Sequence, residues 1–150
     1  MSGLWLAALL ACASEQRDEA PTPMVPAAGL QTKAGRYRLQ WSAEPAPLPF
    51  NALFSVRTVL VTAAGAPVLD GAVVVDASMP QHGHGMPTRP VAEPGTCTPS
   101  TVSGVADTCL HPDGVYMTSG MKLHMQGEWV FHFEVSGPAG SDSLDVHYSL

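Results

Sequence analysis

Residues 121–135 read "MKLHMQGEWVFHFEV", and their alternation decides the fold class. Met121, Leu123 and Met125 fall on one face of an extended chain, Lys122 and His124 on the other. Trp129, Phe131, Phe133 and Val135 then alternate with Val130, His132 and Glu134. A helix would scatter these residues round its circumference, whereas a strand gathers them into one apolar face. If both runs share a sheet, the opposed pairs are 125/129, 123/131 and 121/133, closed by the loop Gln126-Gly127-Glu128. Lys122, His124, His132 and Glu134 then occupy the outer face of a half-exposed sheet.

The same pattern recurs outward from this stretch. "RYRLQWSA" places Tyr37, Leu39 and Trp41 together, and "NALFSVRTVLVT" places Phe54, Val56 and Thr58 together. "AVVVDASMP" is β-branched, puts Val73, Val75, Ala77 and Met79 on one face, and stops at Pro80. "GVYMTSGMKLHM" and "SLDVHYSL" supply further strands. About seven short strands separated by turns rich in Gly and Pro predict an all-β fold, an immunoglobulin-like β-sandwich.

The globular domain is expected over residues 35–150, preceded by a processed segment. "LWLAALLA" at 4–11 is a short apolar run ending at Cys12, and polar "ASEQRDEAPTP" follows. A short apolar region, a small residue and then Cys resembles a bacterial lipoprotein signal, with Leu9-Leu10-Ala11-Cys12 as the lipobox. The resemblance implies a signal peptide over 1–11, lipid on Cys12, and attachment on the periplasmic side of a bacterial membrane. Residues 12–34, with Pro21, Pro23 and Pro26 and little apolar periodicity, read as a flexible tether.

That assignment divides the cysteines. With Cys12 given to lipid, Cys97 and Cys109 remain, and in an oxidising compartment the pair reads as a disulfide. A zinc site built on them would need ligands from elsewhere.

Net charge is −6 and the 7 Lys and Arg are scattered, which excludes a basic nucleic-acid-binding face. No phosphate-binding glycine loop leads from a strand into a helix. Ser, His and Asp are present without a nucleophile-elbow signature, so no enzyme is expected.

One loop stands out chemically. "SMPQHGHGMPT" at 78–88 holds Met79, His82, His84 and Met86 within eight positions. Thioether and imidazole suit copper where thiolates are oxidised, and soft sulfur favours Cu(I). Each residue also has a plainer reading. Met79 shares a face with Val73, Val75 and Ala77, and Met121 and Met125 lie on an apolar face, so all three suit core packing. His82 and His84 suit a solvated glycine-rich loop, and His124 an exposed outer face.

The chain resembles the YtkA-like domain family, related to the extracytoplasmic part of FixH proteins. The resemblance is carried by "PLPFNALFSVRTVLV", "DGAVVVDASMPQHGHGM", "DGVYMTSGMKLHMQGEWVFHFEV" and "DSLDVHYSL". It implies a β-sandwich on a lipoprotein or membrane-anchored protein, linked to copper handling and to assembly of haem-copper oxidases. It also pairs the 79–86 loop with Met121, His124 and Met125 as the metal-ligand set. The expected function is copper binding, or delivery to a copper-receiving or respiratory oxidase protein. The alternative is a non-catalytic interaction module in which the Met/His loop docks a protein partner.

Overall fold

A computed structural model of the chain describes residues 29–150. The expected signal segment, Cys12 and the tether as far as residue 28 lie outside the described residues. In chain order the strands are β1 Leu30–Gln31, β2 Tyr37–Glu44, β3 Phe54–Thr62, β4 Ala72–Met79, β5 His84–Gly85, β6 Val91–Ala92, β7 Thr96–Thr98, β8 Thr108–Leu110, β9 Val115–Met121, β10 Glu128–Gly137 and β11 Gly140–Ser149. A short 3-10 turn occupies Pro112–Gly114.

The expected all-β sandwich is what forms. One antiparallel sheet has the order β1-β2-β3-β9-β6 and the other β11-β10-β4-β5, while β7 and β8 make a separate hairpin. Alternation carries the burial as the sequence requires. Tyr37, Leu39 and Trp41 from β2 and Phe54, Val56 and Leu60 from β3 face Val73, Val75, Ala77 and Met79 from β4. Trp129, Phe131, Phe133 and Val135 from β10 complete the layer, and Trp41 packs 4.8 Å from Phe131, ring to ring. Each fully buried side chain of this size contributes about 1.5–3 kcal/mol, so the alternating face is the main driving force for closure.

The hairpin expected between 121–126 and 129–135 does not form. β9 pairs with β3, and β10 pairs with β4 and β11, so the two runs belong to opposite sheets. Trp129, Phe131 and Phe133 sit opposite Tyr148, Val146 and Leu144, not opposite 125, 123 and 121. The turning point is a bulge. Val56 faces Thr118 and Phe54 faces Met121, so Ser55 alone opposes Ser119 and Gly120. Gly120 has φ +78°, a conformation that side chains with a Cβ rarely adopt, and the strand bends there. Residues 122–127 then cross to the other sheet. Leu123 still turns inward and is fully buried, because an apolar side chain can reach the core from either layer.

The boundary at residue 35 also moves. Leu30 and Gln31 pair with Leu39 and Arg38, and the Lys33 backbone N–H donates to Ser143 O at 2.8 Å. Asp142 fastens this segment, accepting from Thr32 Oγ1 at 2.6 Å, Ala34 N at 2.9 Å and Arg36 N at 3.1 Å. Residues 30–34 therefore belong to the domain and not to the tether.

Cys97 and Cys109 are joined at 2.02 Å and face each other across β7 and β8. The expected disulfide thus staples an exposed hairpin that stands apart from both main sheets.

Candidate metal centre

The β4–β5 turn and the β9–β10 crossover meet at one end of the sandwich. The turn is held by Met79 O, which accepts from His82 N and from Gly83 N, each at 3.0 Å. Met79 and His84 are directly opposed in the β4–β5 pair. Opposed residues of an antiparallel pair point to the same side, and Met79 points into the core. His84 is thereby directed inward over the rim, where it is half-buried.

His124 arrives from the crossover. Its ring lies 5.3 Å from that of His84, and the His82 ring lies 5.8 Å from that of His84. Trp129, fully buried, forms the floor: its ring meets His84 at 6.4 Å and His124 at 5.8 Å, both edge-on. Trp129 is fixed in turn by its indole N–H, which donates to Met125 O at 2.9 Å.

The histidine nitrogens are unequally engaged. His84 Nδ1 lies 3.0 Å from Gly85 O, an acceptor, so Nδ1 carries the proton and Nε2 keeps its lone pair. His124 Nδ1 is buried and has no hydrogen-bond partner. An unpaired buried nitrogen costs about 1–3 kcal/mol, a cost removed by any ligand that it can bind. His124 is therefore not the outer-face residue expected from simple alternation.

The methionines separate into two groups. Met79 and Met121 are fully buried members of the core cluster. Met86 and Met125 are only partly buried against that core. Met86 Sδ accepts from Lys122 N at 3.4 Å, which places the thioether beside the chain that carries His124.

These donors fit a soft metal in composition. Two imidazoles sharing one tetrahedral ion through bonds of about 2 Å have ring centres roughly 5 Å apart. The His84–His124 separation matches that value. Among the described residues no three His, Cys, Asp or Glu side chains gather closely enough to hold an ion by themselves. The donors other than imidazole at this end are the thioethers of Met86 and Met125, both partly buried.

Sequence reasoning named the histidines and methionines but read Trp129 solely as core. Its place three residues after Gln126, at the first inward position of β10, was the available signal. His132, expected on the outer face, lies on the opposite face of the same strand and joins a separate network.

The chain matches no family model, no curated protein and no solved structure.

Proposed function

We propose that the protein is a lipid-anchored, extracytoplasmic copper-binding protein that holds or delivers the metal through its Met/His end. The observation that supports this most is the meeting of His84 from β5 and His124 from the β9–β10 crossover at 5.3 Å, with His124 Nδ1 buried and unpartnered. His84 and His124 would hold the ion, Met86 would supply the soft donor, and His82 would stand at the entrance. Met79 and Met121 act beneath them as packing, with Met125 orienting Trp129 through its carbonyl. Bound copper would offer the site an exchangeable soft cation for transfer to an oxidase or another receiving protein. Attachment through Cys12 would keep the domain at the periplasmic side of the membrane.

Docking of a protein at this same end is the second reading. Phe50 and Leu53 are 53% and 64% exposed, and the Asn51 N–H donates to Leu123 O at 2.9 Å, which ties their loop to the crossover. Copper titration of the purified chain separates the two readings. Delivery requires one Cu(I) per chain with preference over Zn(II), and absence of binding at micromolar copper leaves the docking module.

A further inference from the structure

A second constellation lies on the outer face of the β11-β10-β4 sheet, opposite the face to which Met79 points. Ser78 Oγ is 2.8 Å from His132 Nε2, and His132 Nδ1 is 2.8 Å from Asp145 Oδ1. Three adjacent strands supply one residue each. His132 is directly opposite Asp145, and Ser78 is opposite Val130, one diagonal step away.

The hydrogen-bond chain fixes the chemistry of each atom. Asp145 Oδ2 also accepts from Lys33 Nζ at 2.7 Å. The Lys33 and His132 bonds hold the Asp145 carboxyl below the usual carboxylate range, so it stays ionised at neutral pH. An ionised carboxylate on Nδ1 draws the ring proton to that nitrogen and leaves Nε2 with a lone pair facing the Ser78 hydroxyl. Nucleophile, base and orienting carboxylate are thus in the order and at the separations that activate a serine.

The surroundings leave room for a substrate. Ser78 is opposed across the β4–β5 pair by Gly85, so no side chain covers the hydroxyl from that edge. Further along the same face, beyond Asp76, an open groove of about 460 Å³ runs over Ala72, Val74, Glu134, Ser136, Asp142 and Ser143. Its lining sets Ala72 and Val74, the latter 51% exposed, beside Glu134, Asp142 and serines, and the two carboxylates disfavour anions.

We propose that Ser78, His132 and Asp145 form an acyl-transfer centre that acts on neutral or cationic carboxylic esters, with the elongated part of the ester along the Val74 groove. Ser78 Oγ bonds to the ester carbonyl carbon while its proton passes to His132 Nε2. The ester C–O bond breaks, the alcohol leaves with that proton, and an acyl-Ser78 remains. Water, deprotonated by the same nitrogen, then releases the carboxylic acid and restores the serine. The face is open to solvent, so the centre gains little from dehydrated electrostatics and suits esters with good leaving groups.

The activity is independent of the proposed metal site and is tested without it. The full chain, freed of metal and kept with a chelator, is mixed with p-nitrophenyl acetate. Phenolate release should exceed that of Ser78→Ala and of His132→Gln by at least about a hundredfold, the low end of what general base catalysis supplies. Peptide mapping of the unsubstituted chain should place the acetyl group on Ser78. Acetyl found only on lysines or the amino terminus overturns the proposal, and this reading needs no variant to fold. Equal release by folded Ser78→Ala overturns it as well.

Discussion

His84 and His124 are forty residues apart in the chain and 5.3 Å apart in space, ring centre to ring centre. One comes from the edge strand β5 and the other from the crossover that links the two sheets, and both rings rest edge-on against Trp129. Replacing both by Ala should weaken Cu(I) binding by at least about tenfold, roughly 1.4 kcal/mol. His82→Ala should weaken it less, since His82 is exposed at the tip. Loss of the unpaired His124 Nδ1 removes a buried polar liability, so thermal stability without metal should hardly change. Competition titration with a Cu(I) chelator measures the first effect and a melting curve the second. Unchanged affinity in the double variant would rule out these two rings as ligands.

The methionines should separate by experiment. Met79→Ala empties a fully buried position and should cost about 2–5 kcal/mol in urea unfolding. Met86→Leu keeps most of the volume and removes the sulfur, so stability should change by less than about 1.5 kcal/mol while Cu(I) affinity falls. Copper affinity in Met86→Leu equal to that of the parent chain would exclude the thioether.

Asp142 gives the domain an acid limit. Although loss of solvent pushes its carboxyl up, bonds from Thr32, Ala34, Ser143 and Arg36 hold it down at about 2, against an ordinary value of 3.8. A value lower in the folded state than in the unfolded state means that protons bind the unfolded chain more readily. Its contribution is therefore complete above about pH 4 and is lost as pH falls towards 2. Unfolding by urea across that window should show a stability slope in the parent chain that Asp142→Asn flattens. The same slope in both would assign the acid sensitivity to other carboxyl groups.

The disulfide should protect its own hairpin more than the sandwich. A crosslink across 12 residues is worth roughly 3 kcal/mol where the enclosed loop folds together with the whole. Here β7 is exposed throughout and forms its own two-stranded sheet with β8. Cys97→Ser/Cys109→Ser should therefore speed hydrogen exchange over 95–110 while amides of β4 and β10 keep their protection. Equal acceleration in β4 and β10 would show that the hairpin is part of the cooperative core.

Cys12→Ser should move the protein from the membrane fraction to the soluble fraction with the domain still folded. Unchanged membrane association on fractionation would exclude the lipid anchor.

Alternation made the core legible, because a residue that faces inward does so whichever sheet carries it. Trp129, Phe131, Phe133, Met121 and Leu123 are all buried as the sequence pattern requires. Sheet membership was not legible for the same reason. A same-sheet hairpin and a crossover bury an identical set, and the difference rests on one extra residue at the Ser119–Gly120 bulge. The Met/His loop was visible because its residues are close in sequence. The Ser78–His132–Asp145 network was not, because its members are neighbours only across strand pairings.

The crossover that carries His124 has almost no slack. Leu123 O is clamped by Asn51 N, and Gly127 exchanges both backbone bonds with Leu150 at 3.1 Å. Only residues 124–126 span the interval between those clamps. An ion bound at His124, as proposed, would meet a ring whose carrier has already surrendered its conformational freedom during folding. Little ordering entropy would be left to oppose such binding, and affinity could come from few donors. The same tautness makes the span intolerant of length. One residue added between Leu123 and Gly127 would leave both clamps intact and swing His124 off Trp129, separating the chemistry of the site from the stability of the fold.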